Sequence, residues 1–385
     1  MITLGIETSC DETAICLLET KLHDDGSTEC RIIENLIHSQ ADLHAKYGGV
    51  FPMMAKREHQ KNLPILAEKI LGTGEEKIKS GALKIDRIAV TQGPGLEPAL
   101  WAGIDYAKKL GEELKIPVVG VNHMLGHVLG SLLNSSAPDN SFAKLKTPAL
   151  PALALLISGG HTELVLVNNL NLGEKSSFEV VGRTKDDAVG EAFDKVARLL
   201  GLPYPGGQHV SELAEQARKD PSSPNSVRLP RPMLHSPDLD FSFSGLKTAV
   251  LYEIRKTDEN ATMKPEKNSA DNVPGHGLSE IMKKEIAREF EDAVTEVLVK
   301  KTSKAIEKYG VQSLIAGGGV IANKNIRGAL EKLAHENSIS LFLPPEGVSG
   351  DNALMIALAG ALLPELPEKN ASGESPIKAA GNLSF

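Results

Sequence analysis

One local pattern occurs twice in this sequence, and it restricts the fold more than any other feature. An apolar stretch, a loop of small polar residues and a second apolar stretch occupy residues 2–18 and again residues 153–167. Such runs are typical of two strands joined by a turn, and repetition of one unit indicates a duplicated architecture. We therefore expect an α/β protein with two similar lobes, whose hairpin loops face one central cleft.

Glycine-rich turns recur along the chain. They are Ser158-Gly159-Gly160 in the second hairpin, Gly93-Pro94-Gly95, Gly206-Gly207 and Gly317-Gly318-Gly319. Turns of this type let backbone N–H groups approach a phosphate, although an ordinary strand-to-helix turn explains each one nearly as well. Together with the duplicated hairpins, they favour a nucleotide cleft between two lobes.

Two histidines, His123 and His127, follow a β-branched run where a helix is predicted to begin. Side chains at this spacing lie on one face of a helix, so both imidazoles can point at one metal ion. Two unrelated histidines would show the same spacing, so the pair needs a third ligand before it indicates a metal site. Asp351, between a predicted strand and a helix, is the candidate. Two histidines and one carboxylate are typical of a catalytic site for Zn²⁺ or Fe²⁺.

Acidic residues supply further candidates. The turn of the first hairpin contains Asp11 and Glu12 and is more acidic than a hairpin requires. Asp194 lies on a predicted amphipathic helix with other carboxylates, where a solvated acidic face and a contact to a ribose or an amine both explain the pattern.

The bulk properties indicate a globular protein with two domains. A chain of 385 residues can build two cores. Its net charge of −8 argues against tight nucleic-acid binding without a local basic patch and a helper protein. The three cysteines form no Cys-x-x-Cys pair, which favours a reducing compartment. Because the sequence has no leader and no membrane-length apolar run, we expect a cytoplasmic protein that does not contact membranes.

The predicted lobes divide the chain as follows. Residues 1–147 form an N-terminal lobe, joined by the helix after Asp351, and residues 148–363 form a C-terminal lobe. Residues 258–277 are polar and are expected to form an insertion in the second lobe. Residues 364–385 are rich in Pro, Ser, Gly and Lys, so we expect a loosely ordered tail.

The chain resembles the universal threonylcarbamoyltransferase family that modifies tRNA, in its bacterial form. The resemblance covers residues 2 to about 360 in the family's order. The motifs that carry it, besides the His123/His127 pair, are Gly-Ile-Glu-Thr-Ser-Cys-Asp-Glu-Thr (5–13), Tyr-Gly-Gly-Val (47–50), Gly-Pro-Gly-Leu (93–96), Ser-Gly-Gly-His-Thr (158–162), Gly-Glu-Ala-Phe-Asp-Lys (190–195), Tyr-Pro-Gly-Gly (204–207), Phe-Ser-Phe-Ser-Gly-Leu-Lys-Thr (241–248) and Asp-Asn (351–352).

This resemblance implies a fold and a reaction. The fold is the two-lobed actin-like (ASKHA) architecture, with duplicated RNase-H-like lobes around a nucleotide and metal cleft. The reaction moves threonylcarbamoyl from threonylcarbamoyl-adenylate to N6 of the adenosine beside the anticodon, in tRNAs that read codons beginning with A, and releases AMP. The implied cofactor is one divalent metal, Fe²⁺ or Zn²⁺, with AMP or ATP in the cleft. The implied partners are tRNA and proteins of the TsaB and TsaE types.

Roles for individual residues follow from the resemblance. It makes His123, His127 and Asp351 metal ligands, and Asp11 and Glu12 acidic residues needed for activity. The positions that would bind the nucleotide or the intermediate are Leu156, Ile157, Ser158, Gly159, Gly160, Asp194, Gly207 and Asn323.

The chain departs from the family pattern at a few positions. Family members commonly have His at position 122, an acidic residue at 125, Glu at 53 and Gly at 98, where this chain has Asn122, Leu125, Met53 and Pro98. The usual Arg/Trp/Pro-containing C-terminus is missing. We expect these changes to affect contacts to tRNA or to partner proteins and to leave the metal ligands unaffected.

Three other functions share some of these features. A small-molecule kinase or ATPase of the same fold would bind Mg²⁺ through carboxylates and phosphates rather than through a histidine pair. A scaffold with vestigial nucleotide binding would not need intact acidic and histidine candidates. A zinc protease would need a Glu directly after His123, and Met124 stands there.

Overall fold

The computed structural model describes residues 1–73, 84–134, 141–172, 174–221, 223–224, 226–260, 277–364 and 377–385. In these residues the strands form two sheets. The strands of the first sheet are β1 (Ile2–Glu7), β2 (Glu12–Leu22), β3 (Thr28–Ser39), β4 (Arg87–Gly93), β5 (Val118–Asn122) and β6 (Ala143–Lys144). Those of the second sheet are β7 (Ala152–Ile157), β8 (Thr162–Val167), β9 (Phe178–Arg183), β10 (Ser313–Gly317) and β11 (Ser340–Phe342).

The two sheets repeat one strand order. The order is β5-β4-β1-β2-β3-β6 in the first sheet and β11-β10-β7-β8-β9 in the second. In each sheet the first three strands in sequence pair antiparallel with one another. Two later strands extend the sheet on the other side of the first strand and run parallel to it. The shared part is an RNase-H-like unit, so the predicted duplicated α/β fold is confirmed.

Helices cover both sheets. Their bounds are α1 (Ala41–Ala45), α2 (Pro52–Thr73), α3 (Glu97–Leu114), α4 (His123–Gly130), α5 (Val189–Leu199), α6 (Gly206–Lys219), α7 (Ser244–Asn260), α8 (Glu280–Tyr309), α9 (Lys324–Glu336) and α10 (Ala353–Leu362), with short 3₁₀ turns at Lys175–Ser177 and Gly319–Ala322. Among the helices of the described residues, none combines the length and the apolar character needed to cross a membrane.

Local chemistry sets the ends of the helices. The side chain of Ser279 accepts a hydrogen bond from Met282 N and caps α8, which ends where Gly310 adopts the left-handed conformation at φ 59°. Helix α3 begins at Glu97, and Pro98 lies in its first turn, where no hydrogen bond needs the missing N–H. The substitution at this position is therefore compatible with the helix.

The last helix packs on the first sheet although it follows the second sheet in sequence. A Cβ atom added to Gly5 of β1 would lie 2.7 Å from the backbone nitrogen of Ala357 in α10. The helix is buried along its length, and Asp351 lies just before it. This packing carries a residue from the end of the chain to the edge of the first sheet.

The C-terminal residues differ from the sequence expectation. Ile377 is buried, Ala380 N donates to Gln92 O at 2.9 Å, and Phe385 stacks on Phe178 with ring centroids 5.3 Å apart. The expected loose tail is therefore wrong for residues 377–385, because backbone hydrogen bonds and apolar contacts fix this segment. Residues 365–376 lie outside the described residues, as do residues 261–276 of the predicted insertion.

We expect the substitution Gly5→Ala to lower the free energy of unfolding by about 1–3 kcal/mol, since the new methyl group would press on the backbone of α10. Urea unfolding followed by circular dichroism measures this change. Gly328→Ala is the matched control, because its added Cβ meets no atom within 4 Å and alanine favours the helix. Equal stability of Gly5→Ala and the wild type would contradict the prediction.

Candidate functional site

Both histidines of the predicted pair lie at the beginning of α4, directly after β5. The side chain of Asn122 accepts hydrogen bonds from Met124 N at 2.9 Å and Leu125 N at 3.2 Å, so it caps this helix. A cap of this kind satisfies N–H groups that have no partner in the first turn. Asn122 therefore fixes the start of the helix from which His123 and His127 project.

The structure brings His123, His127 and Asp351 together. One ligand atom from each side chain lies within 4.8 Å of the others. The Nε2 atoms of the two histidines are 3.2 Å apart, and Asp351 Oδ1 lies 3.4 Å from His123 Nε2 and 3.1 Å from His127 Nε2. The donor set suits a first-row divalent metal, and three protein ligands leave positions open for a substrate.

Glu7 is a functional candidate that sequence reasoning did not single out. Its Oε2 atom lies 3.1 Å from His123 Nδ1 and also accepts from the Thr91 hydroxyl at 2.5 Å, while Ser9 N donates to Oε1. Because the carboxylate accepts from Nδ1–H, the Nε2 atom of His123 is left free to face the other ligands. Carboxylates commonly orient metal-binding histidines in this way. The sequence shows only a glutamate at the end of an apolar run, and its complete burial becomes visible in the structure.

The charges of this cluster favour a cation. Burial opposes the charged form of His123, but the carboxylates of Asp351 and Glu7 raise its pKa well above the usual range. Burial likewise opposes the charge on Asp351, but His123 and His127 hold the pKa of Asp351 well below its usual range. Buried carboxylates therefore surround the histidines with negative charge, as a site for a divalent cation requires.

Asp11 ends the loop between β1 and β2, and Glu12 is the first residue of β2, at the same end of the sheet as Glu7. Burial, together with the charges of Asp11 and Asp351, raises the pKa of Glu12 to about 9. At neutral pH the Glu12 carboxyl therefore holds a proton and cannot accept another one. Of the two predicted acidic residues, Asp11 is the better candidate for a proton acceptor.

A cavity of about 710 Å³ opens beside the second sheet. Four of the predicted nucleotide positions line it, namely Gly159, Asp194, Gly207 and Asn323. Helices α5, α6 and α9 begin at its wall, and helix N-termini attract anions through exposed N–H groups and the helix dipole. The cavity has a suitable size for a small-molecule ligand such as a nucleotide.

The other four predicted positions do not line the cavity. They form the end of β7 and the β7–β8 turn, which support Gly159. Leu156 and Ile157 are buried residues of β7 with no exposed surface. Ser158 accepts from His161 N through its hydroxyl at 3.1 Å, which closes the turn that contains Gly159 and Gly160. Strand and turn together place the Gly159 backbone at the cavity.

Two polar side chains of the cavity wall already have protein partners. Asp194 Oδ1 accepts from Gly206 N at 2.7 Å, and burial raises the pKa of this carboxyl although backbone N–H donors oppose the shift. Asn323 caps α9 through Ile326 N and donates to Ser211 and Glu291. Both side chains therefore hold the beginnings of the helices that border the cavity.

His161 connects the cavity to the metal candidates, and the sequence had indicated it only as part of a motif. It belongs to the same turn as Gly159, which lines the cavity. Burial, together with the charges of His123 and His127, lowers the pKa of His161 to about 4, although the charge of Asp351 opposes this shift. His161 is therefore neutral at physiological pH and lies within electrostatic range of both histidines.

Comparison with known proteins decides the family. The family model described as TsaD, tRNA N6-adenosine threonylcarbamoyltransferase, matches residues 31–358. The chain belongs to this family. Relatives of that name from Polynucleobacter asymbioticus and Thermosipho africanus are each 42% identical over 100% of this chain, with 98% and 99% of the relatives covered.

A solved structure outside the family shares the fold. A full-length HypF in its phosphate- and nucleotide-bound form has a TM-score of 0.52 and 12% identity, covering 93% of this chain and 45% of that chain. At this identity the likeness concerns the fold alone. The actin-like architecture expected of a TsaD family member is thereby confirmed.

We expect Glu7→Gln to weaken Zn²⁺ binding about 10- to 100-fold, because a neutral amide holds the Nδ1–H of His123 less strongly than a carboxylate does. Isothermal titration of the metal-free protein with Zn²⁺ measures the affinity. Glu179→Gln, on an exposed part of β9, is the matched control and should bind Zn²⁺ as the wild type does. An unchanged affinity in Glu7→Gln would remove Glu7 from the metal site.

Glu12→Gln should make stability less dependent on pH in the presence of a chelator. The folded carboxyl has a pKa of about 9, against an ordinary value of 4.5, so it stays protonated where the unfolded chain ionises. The stabilisation of the folded state by the protonated Glu12 carboxyl is complete below the pKa of the unfolded chain. It is lost as the pH rises through the pKa of the folded chain. Urea unfolding at about pH 5, 7 and 9 tests this. Parallel pH profiles of the two proteins would contradict it.

Proposed function

We propose that this chain transfers threonylcarbamoyl from threonylcarbamoyl-adenylate to N6 of the adenosine beside the tRNA anticodon, with release of AMP. The observation that carries the proposal is one turn that serves two sites. Gly159 lines the cavity, while His161 of the same turn lies in electrostatic range of His123 and His127. An adenylate in the cavity would place its acyl group toward the histidines. Membership of the family supports this assignment.

His123, His127 and Asp351 would hold the divalent metal, which we propose to be Fe²⁺ or Zn²⁺. When bound, such an ion supplies Lewis-acid chemistry that polarises a carbonyl oxygen. Glu7 orients His123 through Nδ1, and Asn122 holds the start of the helix. These contacts keep the ligand atoms in place before the substrate arrives.

The cavity would bind the adenylate part of the substrate and the AMP product. Backbone N–H groups of Gly159 and of the first turns of α5, α6 and α9 would donate hydrogen bonds to the phosphate. As the acyl group departs, negative charge grows on the leaving phosphate, and fixed N–H donors stabilise that charge. Asp194 and Asn323 contribute by holding the helix starts.

Asp11 would accept the proton of the attacking amine. The exocyclic amine of adenine is a weak nucleophile, so a carboxylate that removes its proton during attack accelerates the reaction. Glu12, protonated at neutral pH because burial raises its pKa to about 9, would lie beside it as a hydrogen-bond donor. Only 7% of Asp11 is exposed, which keeps competing water away from the acceptor.

We further propose that the protein acts in the cytoplasm with partner proteins of the TsaB and TsaE types. The net charge of −8 disfavours tight tRNA binding by the chain alone. Cys10, Cys16 and Cys30 are free thiols, which agrees with a reducing compartment. A kinase or a scaffold of the same fold has no use for the buried His-His-Asp cluster with its own carboxylate support.

Nucleoside mass spectrometry tests the proposal directly. Purified chain, threonylcarbamoyl-adenylate and unmodified tRNA are incubated with and without the two partner proteins. We expect threonylcarbamoyladenosine with the wild type, none above background with His123→Ala, and a kcat about 10²- to 10⁴-fold lower with Asp11→Asn. His335→Ala, on the exposed face of α9, is the control and should match the wild type. Absence of product under every condition would favour the kinase or scaffold function.

A further inference from the structure

A buried group of four side chains lies beneath the loop that carries Asp11. It consists of Thr13 in β2, Gln40 before α1, His44 in α1 and His59 in α2. All four side chains are buried, with Gln40 the most exposed at 3%. We propose that these four residues, here named the Gln40 network, form a positioning device that fixes the backbone around Asp11. The proposal rests on the role of Asp11 in the proposed function.

His59 contacts the loop directly. Its Nε2 atom lies 3.0 Å from Cys10 O, and its Nδ1 atom lies 2.8 Å from the Thr13 hydroxyl and 3.2 Å from Gln40 Nε2. A carbonyl oxygen can only accept, so Nε2 must carry the proton and Nδ1 must be the acceptor. The contacts therefore define one neutral tautomer of His59.

The other half of the network is defined in the same way. Phe51 N donates to His44 Nδ1 at 3.3 Å, and His44 Nε2 lies 3.2 Å from Gln40 Oε1. A backbone N–H can only donate, so Nδ1 of His44 accepts and Nε2 donates. This fixes the orientation of the Gln40 amide, whose oxygen faces His44 and whose nitrogen faces His59. The hydrogen bonds run in one direction, from Phe51 N to Cys10 O.

The hydrogen-bond directions in this network require His44 and His59 to be neutral. Burial lowers the pKa of His59, although the Cys10 carbonyl and the charges of Glu7 and Asp11 oppose that shift. A proton on Nδ1 would put a donor against the Gln40 amide nitrogen. The lowered pKa thus supports the hydrogen-bond directions obtained from the geometry.

The network holds the backbone on both sides of Asp11. His59 donates to the carbonyl of Cys10, and Gln40 N donates to the carbonyl of Asp11 at 3.0 Å. Two consecutive carbonyls bound to one buried group prevent the peptide between them from rotating. The direction of the Asp11 side chain follows from that peptide, so the network orients the carboxylate without contacting the substrate. Small displacements of a reacting group cost large factors in rate.

The test compares two variants of His59. His59→Phe keeps an aromatic ring but removes both nitrogen atoms, whereas His59→Gln keeps a donor that can reach Cys10 O. We expect kcat to fall about 10- to 100-fold in His59→Phe, with KM for threonylcarbamoyl-adenylate and Zn²⁺ affinity within about twofold of the wild type. We expect His59→Gln to recover most of the loss. His335→Ala is again the control, because it lies outside the site.

A merely structural role predicts another result. General loss of folding would change KM, metal affinity and kcat together, and would affect both variants alike. Wild-type kcat in His59→Phe, or an equal loss in both variants, would overturn the proposal. An inactive wild type would instead reject the proposed function.

A second measurement does not need activity. Nitrogen-15 NMR of histidine-labelled wild-type protein reports the tautomer of each ring, and we expect neutral Nε2–H forms for His44 and His59 at neutral pH. Nδ1–H or doubly protonated rings would overturn the network even if the variants lose activity.

Discussion

The site depends on the two-sided binding of His123. One nitrogen faces Glu7 in β1, and the other faces His127 and Asp351. These residues come from distant parts of the sequence, so the cluster can form only when α10 has packed on the first sheet. The carboxylate on each side keeps the imidazole in a single orientation. Every other part of the candidate chemistry is placed relative to this ring.

The duplicated sheet explains why the two halves of the site lie close together. The β1–β2 loop carries Asp11 and is followed directly by Glu12, and the corresponding β7–β8 loop carries Gly159 and His161. Because the two lobes repeat one topology, equivalent loops meet across the cleft. The first loop supplies carboxylates and the second supplies backbone donors. In the proposed reaction, the two copies of one hairpin would provide the proton acceptor and part of the phosphate site.

The sequence predicted those parts of the structure that leave a periodic or a spaced pattern. The repeated hairpin pattern and the glycine turns indicated two similar lobes. The spacing of His123 and His127 indicated that both lie on one helix face. Glu7 left no such pattern, because one glutamate at a strand end does not reveal which side chain it meets. The proton on Glu12 is also invisible in sequence, since it arises from burial and from the charges of Asp11 and Asp351. The fixed C-terminal segment was missed because the composition of residues 364–385 was judged as a whole, although residues 377–385 contain no proline and include the apolar Ile377, Leu383 and Phe385.

The C-terminal segment has a consequence for the order of folding. Strand β1 packs against α10, and residues 377–385 lie on the turn after β4. The first lobe therefore stays incomplete until α10 and residues 377–385 have packed on it, whereas the strands of the second lobe all lie between residues 152 and 342. Contacts of such long sequence separation form slowly. The candidate metal cluster needs Asp351, so it is completed only when the segment before α10 has reached the first sheet.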